Sequence, residues 1–127
     1  MEMGADPKHN PTEEGFDYLA FKSAFEARNV DAWLSFFDEK AEWIEYRHNA
    51  PPASPNCMQG KSEIGSFLER VKNSNVHLEL RDEVLGPTRA AFCVTCTLSG
   101  GRRIIENVII HLRGGKIIRQ VDVEAWD

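Results

Sequence analysis

The feature that most constrains the fold is a change in hydrophobic periodicity near residue 76. Before it, apolar residues recur at spacings of three and four, as on the buried side of an α-helix. After it, apolar and polar residues alternate in four segments that are joined by short Gly-containing turns. Helices first and an antiparallel meander last predict an α+β fold, with the helices packed on one face of a curved sheet.

The first half of the chain predicts three helices and one strand. Thr12 can cap a helix that runs to about Arg28 and ends at Asn29, and Asp31 can cap a second, short helix over 32–37. Residues 1–11 are polar and Pro-containing, which predicts a flexible tail before a single domain. The remaining predictions are a strand over 41–47, a Pro-rich loop over 48–60 that is kept out of the sheet by its prolines, a third helix capped by Ser62, and strands over 76–85, 89–98, 102–112 and 116–126.

Length and charge exclude several classes of protein. The 127 residues fit one domain, and the net charge of −5 without a basic stripe argues against nucleic acid as a partner. No apolar run approaches the roughly 20 residues of a membrane span, so no membrane partner is expected. The N-terminal sequence lacks the layout of a signal peptide, which predicts a cytoplasmic location.

The cysteines do not indicate a metal or redox site. The chain has three cysteines, Cys57, Cys93 and Cys96, and an odd number favours free thiols. Cys93 and Cys96 have the CxxC spacing, but they lie in a predicted strand, where residues three apart point to opposite faces. The sequence therefore predicts neither a metal site nor a cofactor.

The order of these segments resembles the nuclear transport factor 2-like superfamily, in its SnoaL-like polyketide cyclase branch. The resemblance covers 12–127 and implies a cone-shaped fold, in which a strongly curved sheet encloses a deep apolar pocket. It also implies acid/base chemistry of the cyclase, isomerase or dehydratase type, or ligand binding alone, and dimers formed through the sheet. The residues that carry it are Asp31 before the short helix, Gly60 with Ile64 and Phe67, and the run Gly115, Lys116 and Ile117.

The resemblance also implies two catalytic carboxylates. Asp122 matches the last-strand aspartate that serves as acid/base in SnoaL-like cyclases, and Glu45 matches the general base of ketosteroid isomerase-like members. At the positions of that isomerase's two oxyanion donors, this chain has Ser23 and Ile110, which argues against steroid isomerisation. A carboxylate in an apolar pocket has a raised pKa, which suits acid/base work near neutral pH.

The alternation of the last strand extends the candidate site. Gln120, Asp122, Glu124 and Trp126 share one side of it, and Ile117, Val121 and Val123 are predicted on the other. Two interpretations stay open: this side lines the pocket, or its acids meet water and pair with Arg102, Arg103 or Arg119. The candidate ligand-binding residues are Trp43, Tyr46, His48, Phe67, Glu106, Ile110, Gln120, Glu124 and Trp126.

The sequence therefore leaves two functions open. The first is a small cofactor-free enzyme that moves a proton on an apolar, carbonyl-containing small molecule. The second is a non-catalytic ligand-binding or dimerisation module. A homodimer is expected in either case, because the strands carry apolar residues on both faces: Phe92, Val94 and Leu98 on one, and Ile105 and Ile109 on the other.

Overall fold

The computed structural model describes residues 15–127. The predicted tail over 1–11 and the predicted cap at Thr12 lie outside the described residues. The described part has three helices and six strands. In chain order they are α1 (Tyr18–Ala27), α2 (Val30–Leu34), β1 (Phe37–Tyr46), β2 (Asn56–Gln59), α3 (Gly60–Asn73), β3 (His77–Leu85), β4 (Arg89–Thr97), β5 (Arg103–Arg113) and β6 (Lys116–Trp126).

The six strands form one curved, open sheet in the order β2-β1-β6-β5-β4-β3. Every neighbouring pair is antiparallel except β1 and β6, which run parallel. Because β1 pairs with β6, the last strand of the chain lies in the interior of the sheet, not at its edge. The three helices pack on one face, so the predicted α+β architecture with a cone-like sheet is confirmed.

The helix caps differ from two of the predictions. The side chain of Asn29, not Asp31, caps α2 by accepting a hydrogen bond from the Ala32 amide at 3.3 Å. The residue that caps α3 is Gln59, and its side chain makes no capping hydrogen bond. Instead its backbone amide donates to the Glu63 carboxylate at 2.7 Å. Both predicted caps were wrong because each helix begins earlier in the chain, which places Asp31 and Ser62 inside the first turn.

The predicted loop over 48–60 contains a strand. The prediction failed because all three prolines of this segment precede Asn56, so the amides of 56–59 remain free to pair with β1. The predicted second helix is likewise shorter, ending at Leu34, since Phe37 already pairs with Ile117 of β6.

A β-bulge changes the faces of β6. The register of β5 and β6 shifts between His111 and Leu112, which leaves Ile118 as the extra residue. Ile117 is therefore fully buried on the same inner face as Gln120, and the prediction that it shares the outer face with Val121 and Val123 was wrong. Beyond the bulge the alternation holds, and Gln120 and Asp122 point inward as predicted.

The core lies between the helices and the inner face of the sheet. Aromatic residues dominate it, with Phe21, Phe25 and Phe92 in mutual ring contact at centroid distances of 5.7–6.2 Å. Fully burying one side chain of this size contributes roughly 1.5–3 kcal/mol to stability. No helix in the described part of the chain is long and apolar enough to cross a bilayer.

Candidate functional site

A cavity of about 260 Å³ lies between the helices and the inner face of the sheet. It is found where β5 begins and β6 ends, at the end of the cone that the aromatic core does not fill. The helices contribute apolar side chains, and the charged ones come from β1, β5 and β6 and from Arg47, which directly follows β1. The helix side is formed by Phe25, Trp33, Phe67 and Val71, and the sheet side includes Trp43, Glu45, Arg47, Cys96, Ile104, Glu106, Glu124 and Trp126.

Three carboxylates meet in this cavity. Glu45 lies on β1, Glu124 on β6 and Glu106 on β5, and one oxygen from each lies within 4.8 Å of the other two. The register explains the meeting, because Glu106 and Glu124 are direct partners across β5 and β6. A fourth acid, Asp122, is the register partner of Glu45 across β1 and β6.

Glu45 is held by cationic and polar partners. It is only 2% exposed, and its Oε1 accepts hydrogen bonds from Arg47 Nε at 3.1 Å, Arg47 Nη2 at 2.8 Å and Asn56 Nδ2 at 3.0 Å. Burial raises the pKa of Glu45, and the bonds from Arg47 and Asn56 oppose that rise. The ionised form of this glutamate is therefore specifically supported within an apolar cavity.

Glu106 has the opposite environment. Within residues 15–127 no cationic group pairs with it, and burial together with the charges of Asp122, Glu124 and Glu45 raises its pKa well above the usual range. It also forms a hydrogen bond with Glu124, whose Oε1 accepts from Trp126 Nε1 at 2.8 Å. Glu106 therefore keeps its proton at a pH where an exposed glutamate has lost it. The same negative surroundings, after burial, raise the pKa of the Cys96 thiol to about 11.

Asp122 lies beneath the cavity and does not line it. It is fully buried, and both of its oxygens are occupied: Trp43 Nε1 donates to one at 2.8 Å and Gln120 Nε2 to the other at 3.1 Å. Burial first, and then the charge of Glu45, raise its pKa well above the usual range. Trp43 thus links the cavity to Asp122, because its ring lines the cavity and its N–H donates to the Asp122 carboxylate.

The structure brings together six of the eleven predicted site residues in the cavity wall. The other five lie elsewhere: Asp122 is beneath the cavity, Gln120 is buried beside it, and Ile110 is buried further along β5. Tyr46 follows Glu45 on the strand and so points to the opposite face, and His48 stacks on Trp126 with ring centroids 4.1 Å apart. The six in the wall are Trp43, Glu45, Phe67, Glu106, Glu124 and Trp126.

The alternative in which these acids pair with surface arginines was wrong. Arg103 binds Asp127 at 3.4 Å, and Arg119 binds Glu42 at 3.3 Å. Arg102 donates to the Asp127 backbone oxygen and lies 5.7 Å from the Trp126 ring. These arginines are therefore engaged at the rim or on the outer face.

Sequence reasoning missed several contacts of the site. It placed Arg47 beside Tyr46 and His48 at the start of the Pro-rich loop, where it could orient a ligand, but it did not pair Arg47 with Glu45. The signal for that pairing was the spacing, because residues two apart in an extended segment point to the same side. Asn56 had no such signal, since it reaches Glu45 only through the pairing of β2 with β1. Trp33 also lines the cavity, and its place there depends on how α2 meets α1 and α3.

Comparisons with known proteins agree with the fold. The family model of the SnoaL-like domain matches residues 18–120, which is most of the chain. The chain belongs to the SnoaL-like domain family. This confirms the resemblance predicted from the sequence. Among curated proteins, none matches the sequence of this SnoaL-like chain.

Solved structures show the same fold at low sequence identity. A candidate ketosteroid isomerase from Kribbella flavida has a TM-score of 0.68 and 17% identity, over 85% of this chain and 73% of its own. A candidate isomerase from Bacillus subtilis has a TM-score of 0.64 and 20% identity, over 83% and 81%. An NTF2-like protein of unknown function from Mesorhizobium loti has a TM-score of 0.72 and 11% identity, over 83% and 84%. At these identities the likeness establishes the fold alone.

Proposed function

We propose that this SnoaL-like protein transfers a proton on an apolar, carbonyl-containing small molecule, as an isomerase, cyclase or dehydratase that uses side chains alone. The observation that carries the proposal is the contrast between Glu45 and Glu106 within one apolar cavity. One carboxylate has partners that support its charge, and the other has surroundings that keep it protonated. Titratable groups whose environments differ in this way suit the roles of base and acid.

In the proposed reaction Glu45 is the general base. All three of its hydrogen bonds converge on Oε1, so Oε2 is the oxygen that takes a proton from the carbon beside the substrate carbonyl. Glu106 is the general acid and gives its proton to the carbonyl oxygen, which produces a neutral enol. To complete an isomerisation, Glu45 returns its proton to another carbon of the conjugated enol while the enol O–H returns its proton to Glu106 and the carbonyl reforms. To complete a dehydration, the enol O–H likewise returns its proton to Glu106, and a hydroxyl group on the next carbon leaves as water with the proton from Glu45.

Asp122 has a different role in this proposal from the catalytic one that the family resemblance implies. Because it is sealed beneath the cavity, it acts through Trp43 as a positioning residue. The 2.8 Å bond from Trp43 Nε1 fixes the indole ring as a wall of the cavity, and Phe67 packs edge-on against that ring at 5.2 Å. Trp43, Phe67 and Trp126 then hold the apolar body of the substrate, with Glu124 orienting the Glu106 carboxyl group.

The experiment measures proton transfer on simple ketones, so the natural substrate need not be identified first. Apolar cyclic ketones in D₂O are incubated with the protein, and NMR follows deuterium incorporation beside the carbonyl. Glu45→Gln is expected to reduce the rate by roughly 10²–10⁴-fold, the usual contribution of a general base. The matched control is Glu39→Gln, since Glu39 lies on the same strand with a side chain 83% exposed. Equal exchange rates for the parent and Glu45→Gln would remove Glu45 from the mechanism.

A second candidate function is ligand binding without catalysis. It is favoured by the sealed position of Asp122, because the acid that the resemblance assigns to proton transfer does not reach the cavity. In that case the ketones would bind, as judged by quenching of tryptophan fluorescence, but no deuterium would be incorporated by any variant.

We also propose a homodimer formed through the outer face of the sheet. Phe92 and Val94 are buried beneath the helices, whereas Ile109 and Val123 on the opposite face are 46% and 55% exposed. A second copy would cover this apolar face, which the helices leave open. Sedimentation velocity at tens of micromolar tests the proposal, and a monomer at that concentration would contradict it.

A further inference from the structure

The cavity opens to solvent at one end of the cone. We call this opening the mouth, and its residues are those that line the cavity and keep contact with solvent. They include Arg47, which follows β1, Phe67 on α3, Ser74, which follows α3, and Trp126 at the end of β6. The mouth therefore brings together segments that are distant in the sequence.

Two exposed arginines lie against the aromatic side chains of the mouth. The guanidinium carbon of Arg70 lies 5.6 Å from the centre of the Phe67 ring. The guanidinium carbon of Arg102, which precedes β5, lies 5.7 Å from the centre of the Trp126 ring. Both separations are typical of cation–π contacts, so each ring holds a positive charge beside the opening.

The charges of these two arginines are available to a ligand. In the described part of the chain no side-chain carboxylate forms an ion pair with Arg70 or Arg102. Arg102 donates to the backbone oxygen of Asp127 at 3.3 Å, whereas the Asp127 carboxylate binds Arg103 at 3.4 Å. Arg47 contributes less to the charge of the mouth, because its Nε and Nη2 both donate to the carboxylate of the residue two positions before it.

The interior of the cavity has the opposite charge. Glu45, Glu106 and Glu124 line it, and the rest of the wall is mostly apolar. An anionic group among these carboxylates would be repelled, whereas at the mouth it would meet guanidinium groups, which bind carboxylates and phosphates through two parallel hydrogen bonds. A negatively charged ligand is therefore oriented: its apolar end enters the cavity, and its charged end stays at the mouth.

We propose that the cavity binds an amphiphilic molecule, whose apolar body lies inside and whose anionic group, a carboxylate or a phosphate, is held at the mouth by Arg70 and Arg102. The inference rests on the proposed function and names its substrate class. The carbonyl that reacts belongs to the apolar body, and a short chain connects this body to the anionic group. The test measures binding without turnover, so it can fail while the ketone exchange succeeds, and the reverse.

The test compares probes that differ in their terminal group: 6-phenylhexanoate, 6-phenylhexyl phosphate, 6-phenylhexan-1-ol and 6-phenylhexan-1-amine. Isothermal titration calorimetry on the full chain at pH 7 gives their dissociation constants. Exposed ion pairs contribute modestly, so the carboxylate is expected to bind about threefold to tenfold more tightly than the alcohol, and the amine more weakly than the alcohol. An alcohol or an amine that binds as tightly as both anionic probes, or no binding by any probe, would overturn the proposal.

The two anionic probes identify the source of the charge. Tighter binding of the phosphate than of the carboxylate would assign the mouth to a phosphate ester, and the reverse order would assign it to a carboxylic acid. Either order supports the proposal, provided that the tighter of the two binds more strongly than the alcohol.

Two variants and one control locate the anionic group. Arg70→Gln and Arg102→Gln are each expected to weaken carboxylate binding by about twofold to fivefold. Alcohol binding is expected to stay the same, which shows that the cavity of each variant remains folded. Arg113→Gln is the control, since Arg113 is exposed at the opposite end of β5 from the mouth. An unchanged preference for the carboxylate in both mouth variants would place the anionic group elsewhere and overturn the proposal.

Salt provides a second readout of the same contact. Raising the ionic strength from about 0.01 M to about 0.1 M shortens the screening length from about 30 Å to about 10 Å. The preference for the carboxylate over the alcohol is expected to fall, because Arg70 and Arg102 are exposed, whereas alcohol binding is not weakened. A preference that does not change with salt would contradict binding by these exposed charges.

Discussion

The inner face of β5 and β6 has two halves of opposite character. In one half Ile110, Leu112 and Ile117 are buried at 0–4% exposure in a solid core. In the other half Glu106 and Glu124 face a cavity on the same side of the same strands. Strand alternation places both sets inward, so it does not distinguish them. The two halves differ in what lies above them. Aromatic side chains pack directly on the first half, whereas a cavity separates the second half from the helices.

Asp122 and Gln120 lie at the boundary between these halves. They are fully buried like the core residues, yet polar like the cavity residues, and they satisfy much of their hydrogen-bonding capacity with each other and with Trp43. The Oε1 atom of Gln120 has no partner among the described residues. A burial pattern alone therefore does not reveal whether an inward acid contacts ligand, because a layer of aromatic rings can separate the two.

The largest effect is expected in the core half. Ile110→Ala should lower the free energy of unfolding by about 2–5 kcal/mol, the usual result of truncating a large aliphatic side chain in a packed core. Urea denaturation measures it, and Ile109→Ala, on the exposed face, is the control with a much smaller loss. Reduced ligand binding without reduced stability would instead place Ile110 in the site, as the sequence suggested. It would contradict the division of β5 and β6 into a core half and a cavity half.

An intermediate effect is expected at the boundary, and it depends on pH. The folded pKa of Asp122 lies above the unfolded value of about 3.9, so the stability of the parent falls as pH rises through that interval. Asp122→Asn removes this loss of stability, because asparagine carries no charge at any of these pH values. The Gln120 side-chain amide can rotate so that its oxygen accepts a hydrogen bond from the new Asn amide group. The variant should be at least as stable as the parent at pH 8, with the advantage shrinking at pH 4; each unit of pKa shift corresponds to about 1.4 kcal/mol.

Thermal melts at pH 4 and pH 8 measure this difference. Glu39→Gln, which removes a carboxylate whose side chain is 83% exposed, serves as the control for the loss of one negative charge. A variant less stable than the parent at pH 8 would mean that the bonds from Trp43 and Gln120 outweigh the cost of burying the charge.

The smallest effect on the fold is expected one residue along β6, on the outer face. Val123→Lys should change the free energy of unfolding of the monomer by no more than about 0.5 kcal/mol, because the side chain is 55% exposed. The same change should dissociate the proposed homodimer, since it places a charge in its apolar interface. Sedimentation velocity of parent and variant decides: a variant that remains dimeric would place the interface elsewhere.

The sequence predicted the order of elements well because both halves carry strong periodic signals. It failed where a contact with another segment decided the outcome. The strand over 56–59 forms because β1 offers an unpaired edge, and the bulge at Ile118 depends on pairing with β5. The predicted roles of Asp122 and Glu45 remain proposals, but the structure changes how the first would act, since Asp122 does not line the cavity and instead binds the indole N–H of Trp43, which does.

By itself, the sequence determined that three helices precede a meander of strands and that Asp122, Glu124 and Gln120 share a face. Those properties follow from local spacing, which sets the direction of each side chain along its own element. Only the tertiary structure decided which inward residues meet a cavity and which meet a core. It also decided that Arg47 and Asn56 support Glu45, while Glu106 has no cationic partner in the described part of the chain. The reason is that the pKa and accessibility of a side chain depend on atoms from distant parts of the chain, which no local pattern specifies.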